Sequence, residues 1–551
     1  MAKLRFIAIS GTTGVTENCY VYEYENDMIV VDAGVGFPEA DMYGVDLVIP
    51  DFSYIRENKH KLRGVLISHG HEDHLGALPF LLRDVKTTIY ATKLVAGFIG
   101  DKFEDYKTQI PKINVFDPEK DTLNLGAFKV TPFRVSHSVP DGVGYCIATP
   151  EGKIFHVPDY KFDWTPVDGK PFDVAKASML AQGGVLALAS DALGSTTPGY
   201  TESEKGIEER IFMVSEKARG KILFSTISSN ISRIKQALNV ALKLKRKVVF
   251  VGRSIDRKSE ISKKLGYLDY PNNLVVSKKQ ALKLPDNEII YIISGSYGQP
   301  GSALYRAATG DHDWVSVGEG DVVIFSGDPS PPGSKANVDY LVDELLMKGV
   351  DVHYYDIQEN LHVSGHGSQE DIKMLMAIVK PKYFIPIGGS IRHMKAYSQI
   401  AHDMGNANGS VYELQSGEIV EFESGHANKA KEKIKVRDVL VDGLGVGDVG
   451  NVVLRDRQIL SKEGVAIVLL QLDRVSNTLV SDPEVISRGF VFGATSAKLL
   501  DEASYKLRVF LESRNKLDER NIKDHTVNFL EEYFFKRIGR RPMILPVVVE
   551  I

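Results

Sequence analysis

Cysteine is nearly absent: Cys19 and Cys146 are the two among 551 residues, so no disulfide framework is implied and a reducing cytoplasm suits the chain. Long hydrophobic runs are missing as well. No stretch of about 18 apolar residues occurs, so no membrane-spanning helix is expected. The opening MAKLRFIAIS lacks a signal-peptide pattern, because its apolar stretch is short and runs straight into strand and glycine residues. A cytoplasmic protein without a membrane partner is the expectation. Nor is there an excess of positive charge. A formal net charge of −5 gives no bulk attraction to nucleic acid. A local basic groove is still open, since phosphate contacts depend on where lysines and arginines sit. Internal repeats and low-complexity segments are lacking too.

What is present is an ordinary globular composition, 43% hydrophobic and 25% charged, in a chain too long for one core. Over the first 160 residues, β-branched runs alternate with turn residues. FIAIS (6–10), CYVYEY (19–24), MIVVDAG (28–34), GVLISHG (64–70), TTIYA (87–91), FKVTPFRV (128–135) and KIFHV (153–157) read as strands. HLGALPFLLRDV (74–85) is apolar on one face and reads as a helix that begins inside a histidine cluster. This is a strand-rich, layered α/β domain. From about residue 205 to 350 helix-period and buried-strand patterns alternate, as in the βα units of a parallel sheet. Metal-type residues return only afterwards, at His362 and His366, so this second α/β domain reads as an insertion. FESGHANKAKEKIKV (422–436) is polar and suits a linker. Beyond it lies an α+β tail, with a helical pattern from Ala497 to Lys536.

Chemistry concentrates in SHGHEDHLG (68–76). Zinc takes neutral imidazoles and carboxylates, and catalytic sites keep one position open for water. His69, His71, Asp73 and His74 follow a buried strand and can serve two adjacent metals from one loop, His69 and His71 facing one, Asp73 and His74 the other.

The order of further residues resembles the metallo-β-lactamase superfamily. VSHSVPDG places His137, and HVPDYKFD places Asp159, where that superfamily has its third histidine and its bridging carboxylate. Asp32 in VVDAG matches its first motif, with an implied role of orienting a metal-bound histidine. A plain turn-forming aspartate is the alternative. SDALGSTTPGYTESE (190–204), with Asp191, and HVSGHGSQED (362–371), with His366, resemble two motifs of the β-CASP nucleases. GSYGQPGSALYRAATGDH (295–312), DVVIFSGDPSPPG (321–333), VVLRDRQIL, SDPEVISRGFVF and RRPMILPVVVEI resemble segments of the ribonuclease J family, so the likeness covers almost the whole chain. It implies an α/β fold: a metallo-β-lactamase αββα sandwich over 1–204 and 351–424, and an inserted β-CASP α/β domain over 205–350. A linker over 425–448 and a C-terminal α+β domain over 449–551 complete it.

That resemblance implies a metal-dependent ribonuclease of RNA decay and rRNA maturation. It would be a 5′-to-3′ exonuclease on 5′-monophosphorylated RNA, with endonuclease activity open beside it. Its partners would be single-stranded RNA and, through the C-terminal domain, a second or fourth copy of the chain. Zn²⁺, one or two per subunit, is the implied cofactor, with Mn²⁺ open at the second site. Asp73 and Asp159 would orient the nucleophile, and His366, held by Asp191, would act as general acid or stabilise the pentavalent phosphorus. Ser364, Gly365, His366, Gly367 and Ser368 would receive the RNA 5′-phosphate, with backbone N–H groups and a helix N-terminus free to cradle it.

One departure stands out. The family has a His-Gly-Glu sequence after its PKYFIP strand, whereas this chain reads PKYFIPIGGSIRHMKAY and carries Gly388 at that histidine's position. Three outcomes stay open: a weak second site completed by water, substitution by His393, or a single metal at His69, His71, His137 and Asp159. A depleted second site is the favoured one. Ser232, where the family usually has a histidine, and GSYGQP in place of GSQGEP are smaller departures. A different metallo-β-lactamase hydrolase is disfavoured by the insertion. The alternative function is an impaired RNA-binding paralogue, serving as a subunit of a nuclease complex.

Overall fold

The computed structural model describes residues 2–39, 41–327, 334–354, 361–407, 409–443, 445–490, 494–514 and 519–551. The end of DVVIFSGDPSPPG and the last two residues of SDPEVISRGFVF lie outside the described residues. The chain divides into two units, Met1–Phe37 with Leu47–Val439, and Pro38–Asp46 with Leu440–Ile551.

In the first unit the alternating runs build two facing sheets. One has eight strands in the spatial order His426–Lys429, Ile419–Glu423, Leu4–Ser10, Cys19–Tyr24, Asp27–Val31, Leu62–Leu66, Ile89–Ala91 and Ile113–Val115. The other has six, in the order Pro381–Ile387, Val185–Asp191, Gly152–Val157, Val143–Thr149, Phe128–Arg134 and Leu123–Leu125. Phe6, Tyr20, Tyr22 and Ile29 of the first sheet share one buried cluster with Val130, Tyr145, Ile154 and Ala187 of the second. On the second sheet's other face Phe133, Phe155 and Leu188 pack on Ile372 and Leu375 of the helix Gln369–Val379 and Tyr397 of Ile391–Asp403. This is the α/β sandwich that the sequence motifs imply.

Register then decides where chemistry can sit. Val185–Asp191 runs parallel to both Gly152–Val157 and Pro381–Ile387, with Asp191 opposite Ile387. Three strands therefore end at one edge, and the residues just past or at those ends are Asp159, Asp191 and Gly388. Crevices at the carboxyl ends of parallel strands are where α/β sheets bind ligands.

The inserted part has its own five-stranded sheet, Lys247–Val251, Ile289–Ile293, Ile222–Ser225, Val322–Phe325 and Asp351–His353 in spatial order, parallel throughout. Side chains on both faces of its strands are apolar and buried, and one face packs on the helices Ala303–Thr309 and Ser334–Met347. In the second unit Glu484–Arg488, Val465–Leu472 and Met543–Glu550 form a sheet whose Val468 and Leu470 pack on Leu507 and Leu511 of Ala494–Glu512 and Leu530 and Phe534 of Glu519–Ile538.

Two local readings change. The helix expected over 74–85 is two short ones, Glu72–Leu75 and Leu78–Leu81, with Gly76 and Pro79 interrupting the periodic stretch. The polar segment read as a linker starts with a hairpin, since Ile419–Glu423 pairs antiparallel with His426–Lys429 at the sheet margin. Charge on an edge strand discourages unwanted pairing and so imitates a linker in sequence.

Leu188 lies fully buried between the second sheet and its helices. Leu188→Ala is expected to cost about 2–5 kcal/mol, read as an earlier unfolding midpoint in denaturant.

Candidate metal centre

Four donors converge at the strand ends. His71 Nδ1 lies 3.1 Å from both His69 Nε2 and His137 Nε2. Asp159 Oδ2 stands 3.4 Å from His69 Nε2 and 3.5 Å from His137 Nε2. Each imidazole has its N–H engaged on the far side of the ring. His69 Nδ1 donates to Ser68 Oγ (3.0 Å), whose own proton goes to Asp32. His71 Nε2 donates to Ser138 Oγ (3.2 Å), and His137 Nδ1 to the Gly365 carbonyl (2.8 Å). All three therefore turn lone pairs toward one point. Burial, together with the neighbouring imidazoles His137 and His69, holds the His71 pKa well below its ordinary range, and burial does the same to His137. Both are thus kept in the neutral, ligating form. A tetrahedral ion with metal–nitrogen bonds of about 2.0–2.1 Å would space its donors about 3.3 Å apart, so this group fits one metal.

A second group is thinner. Asp73 Oδ2 and Asp159 Oδ1 lie 3.6 and 3.3 Å from His74 Nε2. His74 Nδ1 is fixed by Asp32 Oδ2 at 2.7 Å, and Asp32 also accepts from Ser68 N at 2.8 Å. Gly388 adds no donor. Its φ of +68° is a glycine conformation, and a Cβ there would stand 3.3 Å from Asp191 Oδ1. Instead the Asn18 amide nitrogen lies 3.1 Å from His74 Nε2. His393 caps its own helix, where its Nδ1 accepts from Ser390 N, and His362 is likewise outside every donor cluster among the described residues.

The third group is His366 with Asp191 and Asp159. His366 Nδ1 is 2.7 Å from Asp191 Oδ2, and its Nε2 is 3.7 Å from Asp159 Oδ2. Burial opposes the charged ring, but Asp191 and Asp159 outweigh it and raise the His366 pKa to about 9. Gly365 must be glycine here, because a Cβ would stand 2.5 Å from His137 Cε1. Three of the loop's amides have partners within the protein. His366 N donates to Ser364 Oγ, Gly367 N to Tyr160 O, and Ser368 N to Asp371 Oδ2 and Thr201 Oγ1. The following helix has its first amides on Thr197 O and Gly199 O. A tight loop closed on the strand ends uses up the donors that an isolated helix terminus would offer.

The same assembly recurs in known proteins. Residues 12–187 match the metallo-beta-lactamase superfamily, 219–345 the ribonuclease J beta-CASP domain, 349–409 the Zn-dependent metallo-hydrolase RNA specificity domain, and 452–551 the ribonuclease J C-terminal domain. Ribonuclease J2 of Bacillus subtilis is 35% identical over 100% of this chain and 99% of its own length. The chain belongs to the ribonuclease J family. Ribonuclease J 1 of Streptococcus pyogenes is similar at 36% identity over 98% of this chain and 97% of its own length. Ribonuclease J 2 of Staphylococcus aureus strain MRSA252 follows at 34%, over 100% and 98%. A crystal structure of an Enterococcus faecalis protein of unknown function shares the fold, with a TM-score of 0.53 and 15% identity, covering 76% of this chain and all of that one. As a ribonuclease J this protein is a hydrolytic, RNA-binding nuclease with a metal-binding His/Asp cluster. Among the described residues no helix is long and apolar enough to cross a membrane.

Several residues that arrange the ribonuclease J site escape motif reading. Asp371, fully buried, accepts backbone N–H groups from Phe162 (3.0 Å), Thr201 (2.9 Å) and Ser368 (3.0 Å), tying three segments to one carboxylate. Its only sequence signal is the capping-box spacing from Ser368. Ser68, Ser138 and Asn18 carry no signal beyond their nearness to histidines or to a strand. Asp32 accepts from three donors, whereas asparagine has one acceptor oxygen and tolerates the same left-handed φ of 62°. Asp32→Asn is therefore expected to lower metal affinity about 10- to 100-fold, measured by competition with a chromogenic chelator. Unchanged affinity would remove Asp32 from that role.

Proposed function

We propose that this chain degrades RNA from a 5′-monophosphorylated end in the 5′-to-3′ direction, with endonucleolytic cleavage in the same cleft, during RNA decay and rRNA maturation. The observation that carries the reading is the His366–Asp191 pair, held on the SGHGS loop beside Asp159 of the donor cluster. The proposed ligands are His69, His71, His137 and Asp159 for one metal, and Asp73, His74 and Asp159 for another. Zinc suits the histidine-rich group and manganese the carboxylate-rich one; a bound metal would polarise the phosphate and favour a nucleophile at neutral pH. Asp73 and Asp159 orient the attacking water. His366, kept charged by Asp191, gives its Nε2 proton to the leaving 3′-oxygen as the phosphorus–oxygen bond breaks. Ser364, Gly365, His366, Gly367 and Ser368 receive the 5′-phosphate in this reading, with the Ser364 hydroxyl and the His366 ring among the donors.

The second metal is bound weakly in this reading, because Gly388 offers no ligand and Asn18 faces His74 Nε2. Those two observations also favour the alternative, an impaired RNA-binding paralogue within a nuclease complex. The proposed division is a metallo-β-lactamase part over 1–204 and 351–424, a β-CASP part over 205–350, a linker over 425–448 that begins with the edge strand His426–Lys429, and a tail over 449–551. Self-association through that tail is supported by exposed Ile467, Ile486, Leu545 and Val547 on its sheet. A cytoplasmic location completes the proposal.

Purified protein with Zn²⁺ or Mn²⁺ is expected to release mononucleotides from 5′-monophosphorylated RNA and to act slowly on 5′-triphosphorylated RNA, with His74→Ala as the inactive control. Equal rates on both ends would overturn the direction, and cleavage of circular RNA reads the endonuclease separately. Gly388→His is expected to raise bound metal toward two per chain and to speed hydrolysis. If neither rises, the depleted second site is wrong.

A further inference from the structure

Glu72 lies between His71 and Asp73, so its backbone sets the turn from which both side chains leave. Its carbonyl accepts from Val35 N (3.0 Å) and Gly76 N (2.7 Å), tying that turn to the strand–loop carrying Asp32. Its carboxylate is held from two sides. Oε2 accepts from Lys102 Nζ at 2.6 Å, on the helix Lys93–Asp105 of the sandwich. Oε1 accepts from Lys258 Nζ at 3.0 Å, on the helix Arg253–Leu265 of the inserted part, 186 residues away. The Lys258 side chain is 4% exposed, and its ammonium also sits 5.3 Å from the centre of the Phe98 ring.

A buried ammonium costs several kcal/mol of desolvation unless paired, so Lys258 is held to Glu72. The two helices are docked independently of this contact. Arg257 meets Asp101, Glu104 and Asp105 on the facing helix, and Gly97 lets Ile261 and Leu265 approach. A merely adhesive role is thus already filled by the neighbouring residue.

We propose that Lys258 is a positioning residue for the metal centre: through Glu72, the inserted part fixes the turn that presents His71 and Asp73. The inference rests on the metal-centre reading above. It makes metal affinity a property shared by both parts, although every proposed ligand lies in the sandwich.

The test measures Zn²⁺ affinity of the full chain by chelator competition, and the Co²⁺ absorption spectrum as a second readout of ligand geometry. Lys258→Met is expected to weaken binding about 10- to 100-fold and to change the Co²⁺ spectrum. Lys258→Arg should stay near wild type. Glu72→Gln should show a similar loss, and the double variant no greater loss than either single one. Arg257→Ala, which loosens the same helix pair without touching Glu72, should keep wild-type affinity. Wild-type affinity in Lys258→Met, multiplying losses in the double variant, or an equal loss in Arg257→Ala would each overturn the proposal. A wild-type chain that binds neither Zn²⁺ nor Co²⁺ brings down the metal-centre reading itself, and this inference with it.

Discussion

Imidazole lone pairs 3.1 Å apart repel one another, and His69, His71 and His137 are built into that arrangement with Asp159 alongside. A cation placed among them would relieve that repulsion. Much of the surrounding structure can be understood as the means of holding them. Ser68 and Asp32 fix one ring, Ser138 another, and the Gly365 carbonyl the third, so that no ring can turn its N–H inward and relieve the repulsion. Orientation from outside the ligand set governs metal sites generally, and here the orienting groups come from four separate stretches of chain.

The loop that carries His366 obeys the same logic with a different outcome. The amides of His366, Gly367 and Ser368 are bound by Ser364, Tyr160, Thr201 and Asp371, which makes the loop stiff. Rigidity suits the placing of a titratable side chain beside a donor cluster, since small displacements of a reacting group are costly.

The sequence made the sandwich and the donor residues readable for physical reasons. Strands such as Cys19–Tyr24 carry a strong aromatic and β-branched signal, and the His69–His74 motif is dense. The parallel strand pairing that puts Asp159, Asp191 and Gly388 at one edge is long-range and leaves no local trace. The same is true of Asp371, an acidic residue at a helix start whose partners lie 170 and 209 residues away. The pairing of amides in the SGHGS loop leaves no trace either, because composition shows which donors exist, not which are already bound. The edge hairpin His426–Lys429 was hidden by the charge that protects it.

The site is also spread along the order of synthesis. Asp191 and its partner His366 are 175 residues apart, and the strand Pro381–Ile387 beside Asp191 comes later still. At about 5–20 residues per second, a ribosome needs roughly 10–35 s to travel from one to the other. Through that interval the sandwich half already made has its histidine loop but no His366, and its second sheet has an open edge. A growing chain of this nuclease therefore carries Asp191 and the histidine loop well before the His366 that pairs with Asp191 has been made.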